Sequence, residues 1–424
     1  MAIRQGRFYS IVIATMAGSC VDLIASSASA QALTLEQAVE IATEQAPQIQ
    51  MQRARLEGAQ ALSVAAGRLP DPELILGIDN LPVTGDDAWS TSQDFMTMRK
   101  VGVMQTFPSS RKRTAQSERA AALVSVAQRQ AQQTRLETAR DAALAWVSVY
   151  ALQLTVDQLR TLQPEVQLQA SAARAALASG RRSTVDALAA QAEISELEDR
   201  LLVSEREALA ARAELGRWIG DAAQRPLADE AAFDVLPAPR EQLLASVHRH
   251  APLLTYEAQR SLAESDIELA KAEKRSDWSA ELSYAKRGDA FSDMISLEFR
   301  VGLPLFSRYR QDPIISSRRA ELAQLDAERE AGLRMHAAET ESALGAWETA
   351  RKRIAIYREE RLPLARQRSQ AALAGFRTGQ NDLATLLASH VAELDVQRSY
   401  AELVKELGDA WVFLRYVQAE GETP

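Results

Sequence analysis

Cysteine is all but missing from this sequence. Its one copy among 424 residues, Cys20, falls in a stretch with the features of a removable leader, so a mature chain would hold no disulfide and no cysteine metal site. Histidine is scarce, with four copies, and neither H-E-x-x-H, nor a Walker loop, nor G-x-G-x-x-G is present, so nothing points to an enzyme or to a resident cofactor. Glycine (18) and proline (14) interrupt the chain rarely, while Ala, Leu, Glu, Gln and Arg fill its long segments. These strong helix formers predict a mainly α protein with long uninterrupted helices. Past Leu33 no run reaches the roughly 18 to 20 apolar residues that a membrane-spanning helix needs, so any crossing of a bilayer must be made by strands. A net charge of -8 argues against a broad nucleic-acid surface.

What is present begins with the leader. Arg4 and Arg7 supply a positive region, Ile11 to Ala17 an apolar core, and Ala28-Ser29-Ala30 an A-x-A cleavage site, so residues 1–30 read as a secretory signal. Ala17-Gly18-Ser19-Cys20 resembles a lipoprotein box with Ala where Leu is usual, which leaves lipidation of Cys20 as the alternative processing.

The mature chain repeats itself. Phe107 and Phe306, Pro164 and Pro363, and Gly180 and Gly379 each stand 199 positions apart, dividing the chain into copies at 31–222 and 223–424 that form one integrated domain. Each copy opens on a helix interrupted by an Ala-Pro pair (35–68 with Ala46-Pro47, 241–274 with Ala251-Pro252). Two short alternating segments follow, then a long helix (113–178, 318–377), a glycine turn and a returning helix (184–219, 382–418). Pro164 and Pro363 are expected to bend or break the long helices. Leu188, Ala192, Leu197 and Leu201 have the three- and four-residue spacing of an antiparallel coiled-coil seam.

The strand candidates, 73–79, 95–107, 277–285 and 295–303, bear on class. Trp278, Ala280, Leu282 and Tyr284 alternate with Asp277, Ser279, Glu281 and Ser283, and Ile295, Leu297, Phe299 and Val301 alternate with Ser296, Glu298 and Arg300. A strand of 9 to 11 residues with one apolar and one charged face suits a membrane barrel, with Trp278, Leu282, Tyr284, Leu297, Phe299 and Val301 toward lipid. On that reading Glu281→Gln and Ser296→Ala, on the water side, should be silent. Met96, Met98 and Met104 are expected to face lipid rather than to form a soft-metal path. An ordinary hairpin half-buried on a soluble protein would alternate in the same way. Since four strands close no barrel and open edges are not tolerated in lipid, a barrel would require several chains.

His248 and His250, two apart, are expected on different helix faces, and His336 and His390 at the surface or in a seam, so none is assigned to a metal.

With this order of elements the mature chain resembles the outer-membrane factor, or TolC-like, family. The resemblance implies a homotrimer: twelve strands in one transmembrane β-barrel, continued by a long antiparallel coiled-coil tunnel through the periplasm. It implies work with a periplasmic adaptor and an inner-membrane RND transporter. A narrower likeness to the CzcC/CusC-like heavy-metal efflux branch rests on Leu69-Pro70-Asp71-Pro72-Glu73-Leu74, Asp94-Phe95-Met96-Thr97-Met98-Arg99, and Gln105-Thr106-Phe107-Pro108 followed by Lys112-Arg113. It implies a passive exit duct for metal cations, with a multidrug or type I secretion channel as alternative. The rival of another class is a structural periplasmic coiled-coil protein.

By the same resemblance Gly180 and Gly379 turn at the periplasmic tip, and Asp186 matches a family tip aspartate six residues after the first glycine. Phe376 falls where relatives carry an aromatic residue. The second copy departs from the pattern, with Thr385 and Ala388 for acids and Asn381 for an arginine, and Asp382 offers a different acid. Asp186 and Asp382 are equally placed to cap helices after a glycine turn.

Overall fold

The computed structural model describes residues 32–178, 184–228 and 233–417. The signal segment with Cys20 lies outside them, as does Gly180. Helix α1 (Leu35–Gln45) opens on a capping box, in which the Thr34 hydroxyl accepts the Gln37 amide at 3.2 Å and Gln37 answers the Thr34 amide. It stops at Ala46, whose extended backbone (ψ 135°) is the conformation the following proline imposes. Pro47 then begins α2 (Pro47–Ala65), of whose residues Gln52 alone is buried.

Strands β1 (Glu73–Asp79) and β2 (Met98–Phe107) lead into α3 (Ser110–Ala178), 69 residues and about 100 Å long at 1.5 Å per residue. Helix α4 (Thr184–Ile219) returns beside it. The second half repeats the order with α5 (Arg240–Ala245), α6 (Ala251–Ala272), β3 (Trp278–Lys286), β4 (Met294–Val301), α7 (Gln311–Ile356), α8 (Leu362–Thr378) and α9 (Leu383–Tyr416). The expected break at Ala251-Pro252 comes one residue early: a 3-10 turn ends at Arg249, His250 is extended, and Pro252 sits in the first turn of α6.

The two prolines of the long helices behave differently. Pro164 lies within α3 and does not break it. Packing holds the turn there, because Leu159 and Val166 are buried against Leu197 of α4 and Leu394 of α9. At Pro363 the chain instead widens into a π turn, Tyr357–Arg361, before α8 begins, which absorbs the missing amide.

The strands form one antiparallel sheet in the order β1-β2-β3-β4, whose central pairing, Phe107↔Trp278 to Arg99↔Lys286, joins the two halves. Its outer strands, β1 and β4, have open edges. Helix α3 is the axis of the helical part and touches α2, α4, α6 and α9. The main core lies midway along it. Trp146 and Trp347, both buried, each donate the indole N–H to a backbone carbonyl just ahead of a copy's first helix: Leu33 at 3.1 Å and Phe233 at 2.8 Å. Leu33 is in turn bonded to Pro226 and Ala228, tying the chain's first described segment to the link between the halves. At Gly408 helices α9 and α3 come so close that a Cβ would lie 2.7 Å from Val147 Cγ1.

Candidate functional site

The sheet carries the most unusual chemistry. Its register sets Leu74, Val103, Leu282 and Leu297 in one cross-strand row and Leu76, Val101, Tyr284 and Ile295 in the next, all on one face. These side chains are exposed, Leu282 at 57% and Leu297 at 62%. Nearer the helices Phe107 stacks on Trp278, ring centroids 4.2 Å apart, beside Val301.

The opposite face is polar and curls inward. Glu281 is only 3% exposed and lies between Lys100 Nζ, 2.6 Å away, and the Arg300 guanidinium at 2.9 Å, which also reaches Glu298 at 2.7 Å. Gly102 makes the curl fit, since a Cβ there would stand 2.7 Å from that of Ser283. Removing the Glu281 charge would leave two cations facing each other, so Glu281→Gln is not the silent change expected from sequence, and Ser296 is the better control.

The methionine expectation is overturned for Met98 and Met104. Met98 and Met104 share the parity of Lys100 and Gly102 and lie on the polar face, with Met104 Sδ 3.2 Å from Arg300 Nη1. Met96 precedes the strand, its amide bonded to Asp94. Asp277, read from sequence only as a strand's polar side, anchors the joint between sheet and helices. Its carboxylate takes Lys112 Nζ at 2.8 Å and the Ser109 amide at 3.0 Å, while its carbonyl takes the Gly302 amide at 3.1 Å.

At the far end of the helices Gly379, φ +75°, ends α8 in the left-handed region that favours glycine. Asp382 caps α9, its carboxylate accepting the Thr385 amide at 2.8 Å. Phe376 packs against the small core of Ala372, Leu383, Leu386 and Leu387. Asp186 falls in the first turn of α4. Of the expected seam, Leu197 and Leu201 pack with Ile194, whereas Ala192 and Leu188 are exposed, Leu188 at 66%. The buried line is therefore 194, 197, 201, displaced from the line drawn through Leu188.

His250 and His336, 86 positions apart, meet edge to face at 5.5 Å. His250 is wholly buried and neither ring nitrogen has a partner, while His336 Nδ1 lies 2.9 Å from Glu339 Oε2. His390 is buried too. Among the described residues no three His, Cys, Asp or Glu side chains converge as metal ligands. Burial, with His336 and His248 nearby, lowers the His250 pKa to about 4. A depressed histidine stabilises the fold above the unfolded pKa of about 6.5, and that contribution is lost as pH falls toward 4, up to about 3 kcal/mol. Thermal unfolding in detergent between pH 7.5 and 4.5 should therefore be steeper for the wild type than for His250→Leu, which has no ring to protonate. Parallel curves would show that His250 does not titrate on unfolding.

Among the described residues no helix is long and apolar enough to cross a membrane. Neither a family model nor a curated protein sequence matches the chain. Solved structures do. The CmeC outer membrane channel of Campylobacter jejuni superposes with a TM-score of 0.78 at 9% identity, over 92% of this chain and 87% of that one. CusC does so at 0.75 and 14%, over 91% and 92%. The outer membrane protein VceC of Vibrio cholerae follows at 0.74 and 18%, over 91% and 96%. The likeness shows the fold: mainly helical with a small four-stranded antiparallel sheet, that of the TolC-like outer-membrane channels.

Proposed function

We propose that this chain is the outer-membrane channel component of a tripartite efflux system of the RND type, a passive exit duct and not an enzyme. The observation that carries the reading is the inverted sheet, apolar and exposed on one face, charged and paired on the other, at one end of a helical column about 100 Å long. In water such a sheet would bury the wrong face. In a bilayer Trp278, Leu282, Tyr284, Leu297, Phe299 and Val301 meet lipid while Glu281, Ser283 and Arg300 line a wet lumen.

Strands β1 and β4 have open edges, which lipid does not tolerate, so copies pool strands, and a homotrimer gives a barrel of twelve. The helices then extend into the periplasm toward the adaptor and the inner-membrane transporter. Gly180, Asp186, Phe376, Gly379 and Asp382 lie at the tip that controls opening. The signal at 1–30 delivers the chain, and the two repeats act as one domain.

Heavy-metal cations are the proposed cargo, supported by the motifs at Leu69 to Leu74 and Asp94 to Arg99. Similarity to CusC, CmeC and VceC is nearly equal and favours no branch. The test is fractionation of the native host. The protein is expected in the outer-membrane fraction as an oligomer that cross-links to three chains. Recovery as a soluble periplasmic monomer would replace this reading with that of a structural coiled-coil protein.

A further inference from the structure

The outward face of the sheet ends abruptly at the end away from the helices. Reading along β2 from the helical end, its residues are Phe107, Gln105, Val103, Val101 and then Arg99; along β3 they are Trp278, Ala280, Leu282, Tyr284 and then Lys286. Arg99 and Lys286 are direct cross-strand partners and both are exposed. Like charges directly opposite each other destabilise a strand pair. Among the described residues neither is in an ion pair. The carboxylates nearest in register are Asp79, at the end of β1 beside Met98, and Asp293, which takes the Tyr284 hydroxyl.

We infer that Arg99 and Lys286 form a binding site for the phosphate of a lipid headgroup of net negative charge, one without a cation of its own to repel them. The inference rests on the membrane reading above and adds a ligand to it. From Phe107 to Arg99 the strand climbs about 26 Å, or roughly 20 Å along the membrane normal at the usual tilt, so the two cations stand where the apolar band of a barrel ends. A guanidinium and an ammonium side by side suit a phosphate, the first by two parallel hydrogen bonds and the second as a point charge.

The site favours a lipid over free phosphate because of what surrounds it. Ile78 flanks Arg99 in the same cross-strand row, Val101 and Tyr284 lie directly below the cations on the same face, and Trp89 and Phe95 of the loop between β1 and β2 are exposed. A phosphate held by Arg99 and Lys286 would lay its acyl chains over these side chains. Both cations are then desolvated on one side and their mutual repulsion is neutralised.

The test uses the full protein in nanodiscs of phosphatidylglycerol or of phosphatidylcholine. Wild type should melt several degrees higher in the anionic lipid and carry bound phosphatidylglycerol in native mass spectra. The Arg99→Gln/Lys286→Gln double variant should lose that gain and about tenfold of the retained lipid. In phosphatidylcholine it should match or exceed wild type, because the repulsion is gone. The charge-keeping pair Arg99→Lys/Lys286→Arg should behave as wild type, which controls for local packing. A double variant that inserts and still gains as much from phosphatidylglycerol would overturn the site, as would inorganic phosphate in detergent giving the same gain. A protein that fails to enter either nanodisc overturns the membrane reading, and the site with it.

Discussion

Arginine in place of Leu282 or Phe299 is expected to abolish recovery of the assembled protein from the outer membrane. Both side chains are more than half exposed on the apolar face of the sheet, with Leu282 flanked by Val103 and Leu297 and Phe299 opposite Ala280. A cation near the bilayer midplane of a barrel costs about 2–4 kcal/mol, and in the proposed homotrimer every copy bears it. Even one such penalty shifts an equilibrium roughly 30-fold or more. Ser296→Ala, one residue from Leu297 but on the other face, should assemble as wild type does. Quantifying the oligomer band in outer-membrane fractions checks this, and equal losses in the two classes of variant would show the faces to be misassigned.

Trp146→Ala should be the most destabilising change in the helical part, by about 3–5 kcal/mol, with Trp347→Ala close behind. Trp146 fills the midpoint of α3, stacks on Tyr150 at 5.3 Å and satisfies the Leu33 carbonyl. Trp146→Phe keeps most of the volume and gives up one of the two hydrogen bonds that the Leu33 carbonyl accepts, the Ala228 amide keeping the other, so it should cost about 0.5–1.5 kcal/mol. A substitution on the exposed helix α2, such as Val64→Ala, should stay within about 0.5 kcal/mol. Thermal or urea unfolding in detergent ranks the four. If Trp146→Ala melts with Val64→Ala, the midpoint core is not what holds the bundle.

Much of this architecture was legible because proline, glycine and alternation act locally. Pro47 sets the conformation of Ala46 wherever it occurs, and the apolar residues of β3 and β4 meet competitors on the polar face only at the strand ends, in Ala285 and Met294. The first copy reads less clearly for a physical reason. Met98, Gly102 and Met104 occupy the polar face of β2, so both parities look apolar and sequence alone does not tell which side Met98 and Met104 take. Tertiary packing hid the rest. Nothing near Pro164 announces that Leu197 and Leu394 will hold its turn, and nothing near His250 announces His336. The paired tryptophans were legible too, since Trp146 and Trp347 stand 201 positions apart, close to the 199 that separates the other landmarks. At the tip the spacing of Asp382 from its glycine foretold an N-cap, which is the contact it makes with Thr385.

The open edges of β1 and β4 bear on how fast the protein matures. On the proposed barrel reading, a lone chain has a backbone ladder wanting partners on both sides and an apolar face wanting lipid, and neither want is met until other copies arrive. Maturation should therefore follow kinetics of higher than first order in chain concentration, slowing disproportionately when expression is low. The unassembled form is correspondingly sticky, because Glu73 and Asp79 are the charged residues of one edge strand and Glu298 and Arg300 those of the other. The same edges that the proposed oligomer joins into a wall at high local concentration become the chain's main route to aggregation when a partner is late.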